Sequence, residues 1–427
     1  MNYMSDYIMI PMQLIVVFFT FYYFCIAFFG IYRKKEVKIT TPKSTFAAII
    51  AAHNEEQVIR QLVENLTMMN YPRALYDIYV IADNCTDRTA KVAEMAGAIV
   101  CERFNQAQRG KGYAMEWMFA KLFNLEKKYD AVVIFDADNL VDRNFLLEMN
   151  NRLLKGEKVI QGYLDSKNPK DTWISGTFSI SFWVVNHIWH LAKYNLGLSS
   201  VLGGTGMCIS TDILRKIGWG ATCLTEDMEI TMKVLVHGIR TTWAHDAVVY
   251  DEKPLTFAQA WKQRKRWAQG HFDVARRFIP KLFIEGIKQR KLFIIDGVMH
   301  LVQPHFLIFS TIFILLNYIA HFFPFYTNII YMFIPIELLR IIAVGQYVFP
   351  MVVLFKIHAE AKSWAYLLLY PLFIYSWIPI TFIGFLKRNQ REWVHTPHTR
   401  SISYQDLLGE NSNFSKDDHF LSKQAIK

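Results

Sequence analysis

Two apolar ends enclose a polar middle, and that arrangement constrains the chain more than any single residue does. Tyr7–Tyr32 carries no charge and, at about 1.5 Å of rise per residue, is long enough to cross a bilayer. A basic cluster, Arg33, Lys34 and Lys35, follows it. A cleaved signal peptide would place its basic residues before a short apolar core, so a retained anchor with its N-terminus outside is the expectation. Ile294–Ile319 and Trp364–Leu386 are further spans. Ile329–Ile357 between them is too long for a simple crossing and contains Pro335, Glu337, Arg340 and Pro350. One tilted helix would put the C-terminus outside and a broken pair would put it inside. Lys387, Arg388 and Arg391 favour inside, hence a break. Glu337 and Arg340 share a helix face at this spacing and can pair, either to hold the helices together or to line a product path.

The enclosed stretch has a different grain. Phe46–Ala52, Ile78–Ala82, Ala98–Cys101 and Ala131–Phe135 read as strands, separated by helical stretches such as Glu55–Met69 and Arg88–Met95. That alternation predicts an α/β domain on a mostly parallel sheet, with ligands at the carboxyl ends of the strands. Composition agrees: 52% hydrophobic residues are too many for an ordinary soluble enzyme, and 20% charged residues too many for a purely membranous protein. The net charge of +10 suits anionic lipid or nucleotide. Its concentration beside the apolar spans argues against nucleic acid as a partner. The five cysteines form no C-x-x-C pair and are expected to be reduced thiols.

Polar residues cluster where such a sheet would hold a nucleotide. The first strand ends in Ala52-His53-Asn54-Glu55 and the second in Asp83-Asn84-Cys85-Thr86-Asp87. Asp83 can accept a uracil N3–H, whereas Asn54 and Thr86 as helix caps and Asp87 as a first-turn acid serve structure alone. Gln108-Arg109-Gly110-Lys111-Gly112 is a basic turn before a helix and not a P-loop, because G-x-x-x-x-G-K-[ST] is missing. Asp136 and Asp138 follow an apolar strand, so a hard divalent cation there could bridge them to a diphosphate. Gly203-Gly204-Thr205-Gly206 is either a plain turn or one that brings backbone close to a sugar. Glu226 and Asp227 open a helical stretch, where the dipole keeps a carboxylate ionised and suits it to act as a base. Phe257–Phe278 is amphipathic, with aromatics among cations, as in an interfacial helix.

In this order the motifs resemble the membrane-integrated, processive glycosyltransferases of family 2. Poly-N-acetylglucosamine, chitin-oligosaccharide, hyaluronan and cellulose synthases are of this kind. The resemblance runs by motif from about Thr45 to Trp267, and more loosely to Arg400. It implies a GT-A fold, a UDP-sugar donor, Mg²⁺ or Mn²⁺, and inversion at the anomeric carbon. By the same resemblance Ala52, Asn54, Glu55, Asp83, Lys111 and Asp136 bind the donor, and Asp136 and Asp138 bind the metal. Asp227 is the catalytic base, while Gly204, Thr205, Glu226, Gln263, Arg266 and Trp267 hold pyrophosphate and acceptor. Glu392–Thr396 resembles the C-terminal Trp-Thr segment of these synthases. Unlike cellulose synthase, this chain shows no regulatory domain after its membrane region, and it has fewer spans.

The expected layout is an anchor at 1–35, a cytosolic catalytic domain at 36–252 and interfacial helices at 253–292. Transmembrane helices at 293–386 and a cytosolic tail at 387–427 complete it. The expected activity is extension of a β-linked polymer from UDP-N-acetylglucosamine at the cytosolic face of the cell membrane, with export as a companion step. The alternatives are transfer of one sugar to a lipid carrier or glycolipid, and a transport or scaffold protein with a degenerate domain. The expected partners are the donor, the growing glycan or lipid-linked acceptor, and membrane lipids.

Overall fold

The computed structural model describes residues 4–390 and 400–410. The four strands expected from sequence all form, as β1 (Phe46–Ala52), β2 (Tyr76–Asp83), β3 (Ile99–Arg103) and β4 (Ala131–Asp136). They pair in parallel in the order β3-β2-β1-β4. β1 and β4 are covered on both faces, which is why they read as continuous apolar runs. The rest of the sheet consists of β5 (Leu140–Val141), β6 (Val159–Ser166), β7 (Met207–Ser210) and β8 (Thr241–Asp251), continuing as β7-β6-β8-β5.

The expectation of a mostly parallel sheet holds across β3-β2-β1-β4 and for the β6–β8 pair, but the sheet is mixed. β7 runs antiparallel to both β4 and β6, and β5 antiparallel to β8. The reason is positional. β7 starts at the end where β4 finishes, Met207 standing opposite Ile134, so the Gly203–Gly206 turn is laid beside Asp136.

Helix Glu226–Val236 packs against the long helix Phe257–Gln289, which opens with a capping box between Thr256 and Gln259. Gly270 lets the two approach, because a Cβ there would collide with the Thr225 side chain. The long helix leads at once into Leu292–Phe322. That helix and Asp6–Phe28 are each long and apolar enough to cross a membrane.

Two further apolar helix pairs, each with the form of a broken span or a re-entrant loop, bend near prolines. Glu337–Gly345 and Tyr347–Lys356 meet at 44°, and Ala361–Leu367 and Tyr370–Leu386 at 52°. Both breaks fall about one turn before a proline, Pro350 and Pro371, where the ring removes a hydrogen bond and crowds the preceding carbonyl. Within Ile329–Ile357 the structure has a 44° bend inside the helix Ile336–Lys356 and not the expected pair of crossings, and Trp364–Leu386, expected as one span, is bent as well. Glu337 and Arg340 are exposed, and no ion pair joins them among the described residues.

Three parts of the chain meet at a buried charge. Lys193 donates to Asp296 at 2.5 Å and to Tyr22 at 2.6 Å, tying the α/β domain to the helix Leu292–Phe322 and the first helix. Residues 400–410 return to the α/β domain, where Tyr404 and Leu407 pack on Leu140, and the Tyr404 hydroxyl donates to Asp142 at 2.9 Å. Glu392–Thr396 lies outside the described residues.

Candidate active site

The loops after β1 and β2 are sewn together. The Thr86 N–H donates to Asn54 Oδ1 at 2.8 Å and the Glu55 N–H to Thr89 Oγ1 at 2.8 Å. Asp87 accepts from the Thr89 N–H at 3.0 Å, the structural role open to it from sequence. Ala52 and Glu55 are buried beneath this seam. Asp83 is buried too, and its Oδ1 is taken by Arg103 at 2.6 Å and by Asn84 at 3.0 Å. Arg103 stands opposite Asp83 in the β2–β3 register, which fixes the pair. Sequence reasoning missed Arg103; its signal was a cation closing one strand beside another closed by an aspartate.

Asp136 closes β4, and its backbone N–H is held by Asn139 Oδ1 at 3.0 Å and Thr205 Oγ1 at 3.3 Å. Asp138 is buried, its Oδ2 accepting from the Glu252 N–H at 3.0 Å. No group of three or more His, Cys, Asp or Glu suited to a metal occurs among the described residues. Two carboxylates alone fit a cation that completes its shell with substrate phosphate and water, as Mg²⁺ commonly does.

Lys111, in the first turn of helix Lys111–Asn124, reaches into the same place. Its Nζ donates to the Asp136 carboxylate and to the Gly204 carbonyl at 2.6 Å, with Glu226 Oε1 at 3.9 Å. Burial works to lower the lysine's pKa, but Asp136 and then Glu226 outweigh it and hold the ammonium above its ordinary range. The Gly204 turn is pinned from below by Gln161, a buried residue on β6. Its Oε1 accepts from the Gly203 N–H at 2.8 Å, and its Nε2 donates to the Thr205 carbonyl at 2.9 Å. Gln161 and Asn139 were also missed, although a glutamine inside the apolar strand Val159–Ser166 was a legible signal.

Glu226 and Asp227 form the first turn of helix Glu226–Val236. Burial first, and the Glu226 charge second, push the Asp227 carboxyl up to about 7. Burial also raises Glu226, opposed chiefly by Lys111. Arg266 is near enough to stabilise the ionised form of both. A carboxyl that titrates near neutrality is matched to taking a proton from a hydroxyl.

Gln263, Arg266 and Trp267 share one stretch of the long helix. Trp267 packs against Phe178 and Phe182, ring centroids 5.8 and 6.4 Å away, to form an aromatic wall. Gln263 Oε1 is buried with no hydrogen-bond partner among the described residues. Arg264, grouped from sequence with the interfacial cations, is instead fully buried. It donates to the Phe373 carbonyl at 3.2 Å and to Ser376 Oγ at 2.8 Å, joining the long helix to the last spans.

Residues 42–270 match the family model described as glycosyltransferase like family 2. The chain belongs to that family. The family-2 chain is 26% identical over 272 residues to the probable glycosyltransferase YdaM of Bacillus subtilis, covering 62% of this chain and 63% of that protein. It is 28% identical over 252 residues to the beta-monoglucosyldiacylglycerol synthase of a Nostoc species, covering 56% and 51%. To the poly-beta-1,6-N-acetyl-D-glucosamine synthase of Staphylococcus aureus it is 25% identical over 236 residues, covering 54% and 55%. The glycosyltransferase thus spans between half and two thirds of the length of these relatives. Among solved structures, the mannosyltransferase PcManGT from Pyrobaculum calidifontis, in complex with GDP-Man and Mn²⁺, is 16% identical with a TM-score of 0.59. The likeness covers 91% of this chain and 100% of that one. The fold is GT-A.

Proposed function

We propose that this family-2 glycosyltransferase extends a β-linked glycan from a UDP-sugar, with UDP-N-acetylglucosamine the favoured donor, at the cytosolic face of the cell membrane. The observation that carries this reading is the aromatic cluster of Trp267 with Phe178 and Phe182, Trp267 following directly on Arg266, whose charge acts on the Asp227 carboxyl. The half-buried indole of Trp267, backed by the two phenylalanines, suits the C–H face of a sugar ring. The Gln263 carbonyl, which has no hydrogen-bond partner among the described residues, suits a sugar hydroxyl.

In the reaction, Asp227 accepts the proton of the acceptor hydroxyl as that oxygen attacks the anomeric carbon. The bond to the diphosphate breaks on the opposite face, UDP leaves with the electron pair, and the centre inverts. Arg266 and Lys111 supply fixed positive charge to the departing diphosphate, the electrostatic contribution that dominates such reactions. Asp136 and Asp138 would hold Mg²⁺ or Mn²⁺, which when bound offsets charge on the same diphosphate. The seam of Ala52, Asn54, Glu55 and Asp83 is the base and ribose end of the donor site. Gly204, Thr205 and Glu226 line its sugar end.

The return of residues 400–410 to the catalytic domain supports placing that domain and the chain's end on one side of the membrane, with the anchor at 1–35, the span Leu292–Phe322, and one of the two bent helix pairs crossing while the other is re-entrant. A second reading, transfer of one sugar to a glycolipid, draws support from the Nostoc relative's name and from Phe283, Ile284, Ile287 and Leu292, exposed apolar residues near the junction with the membrane helix.

The test is to incubate the chain in lipid nanodiscs with a panel of UDP-sugars and to read products by mass spectrometry. A ladder of oligomers is expected. A single hexose on a lipid acceptor would select the second reading, and no UDP release with any donor would overturn both.

A further inference from the structure

Lys111 stands in a cation site. Its ammonium is met by three oxygens, from the Asp136 carboxylate, the Gly204 carbonyl and Glu226. It is held there from both sides. Gly110, at φ +110°, turns the chain so that Lys111 begins the helix, and Gln161 fixes the turn that offers the Gly204 carbonyl. The Lys111 side chain is only 17% exposed, whereas Asp136 is 41% exposed and so open to an arriving ion.

We propose that Lys111 is the enzyme's own stand-in for the divalent cation, so that metal and nucleotide-sugar enter as one complex and neither Mg²⁺ nor Mn²⁺ settles first. This rests on the reading of Asp136 and Asp138 as metal ligands. A divalent ion arriving alone would have to displace the ammonium from Asp136 or sit beside it against like-charge repulsion. An ion arriving with a diphosphate brings the anion that gives the lysine a new partner. The ammonium then moves from carboxylate to phosphate with its charge still paired. The arrangement keeps Asp136 satisfied between turnovers and makes occupancy of the metal site depend on the donor.

The experiment measures Mn²⁺ binding by the loss of the free-ion electron paramagnetic resonance signal, using the full chain in nanodiscs, with and without UDP. Wild type, Lys111→Met and Lys111→Arg are compared. The expected result is that Lys111→Met binds Mn²⁺ alone at least tenfold more tightly than wild type, while Lys111→Arg, which keeps the charge, does not. UDP should tighten Mn²⁺ binding to wild type by a larger factor than binding to Lys111→Met. Lys111→Gln serves the same comparison if the methionine variant does not fold, as judged by thermal unfolding. The proposal is overturned if both proteins retain Mn²⁺ with UDP and the uncharged variant binds the free ion no more tightly than wild type. If no protein retains Mn²⁺ even with UDP, the metal reading fails, and the proposal fails with it.

Discussion

Gly204 and Asp227 face each other across the cleft at contact distance: a methyl group at position 204 would lie 3.3 Å from Asp227 Oδ2. Gly204 also holds φ +87°, a backbone conformation that side chains disfavour. Gly204→Ala is therefore strained in two ways, by about 1–3 kcal/mol of backbone energy and by crowding of the base. A fall in kcat of tenfold or more is expected, with a small drop in Tm. Unchanged kinetics in the alanine variant would show that the turn does not constrain the base.

Asp227→Asn keeps the shape of the side chain and removes its basicity. Transfer should fall by about 10² to 10⁴, the usual worth of a general base. UDP affinity, read by calorimetry, should remain near wild type. Wild-type turnover would refute the assignment.

The elevated carboxyl at position 227 predicts the acid side of the pH profile. A base must be ionised to act, so kcat/KM should rise with pH up to about 7 and level off above it. Because Glu226 contributes to the elevation, Glu226→Gln should move this limb to lower pH. The stability effect of Asp227 has the opposite slope. A carboxyl raised on folding favours the protonated native state, so its ionisation costs stability as pH climbs from the unfolded value of 3.8 to about 7.

Arg103 and Asp83 are a buried pair, their side chains 4% and 8% exposed. Arg103→Met leaves a carboxylate without its partner, a loss of about 3–5 kcal/mol for such pairs. The thermal midpoint should drop by several degrees. UDP binding should weaken as well, because Asp83 would no longer be held in place.

Removing metal with EDTA should abolish transfer, and Mn²⁺ or Mg²⁺ should restore it. Asp138→Ala should lose metal-dependent UDP binding and also release the Glu252 N–H that its carboxylate holds. Full activity in chelator would exclude a metal role for both aspartates.

Much of this was legible because parallel strands buried on two faces are written as apolar runs, so β1 and β4 stood out together with the polar residues that follow them. The antiparallel β7 was not legible. Four residues, Met207–Ser210, have no alternation to read, and their direction follows from where the preceding helices leave the chain. Motif spacing marked Asp136, Asp227 and Trp267 but not their supports. Gln161, Asn139 and Arg103 act through partners far away in sequence, and only the sheet register brings those partners near. Arg264 misled for the opposite reason: charge suggested a surface, and its burial depends on the Phe373 and Ser376 groups more than a hundred positions later.

The junction of Tyr22, Lys193 and Asp296 bears on how the protein is made. The ammonium of Lys193 leaves the ribosome long before Asp296, so that charge must wait solvated until its carboxylate is made. Final docking becomes a late step, completed only when the helix bearing Asp296 arrives. A truncated chain lacking that helix would retain an α/β domain with an unmatched lysine on the face the helix would otherwise cover.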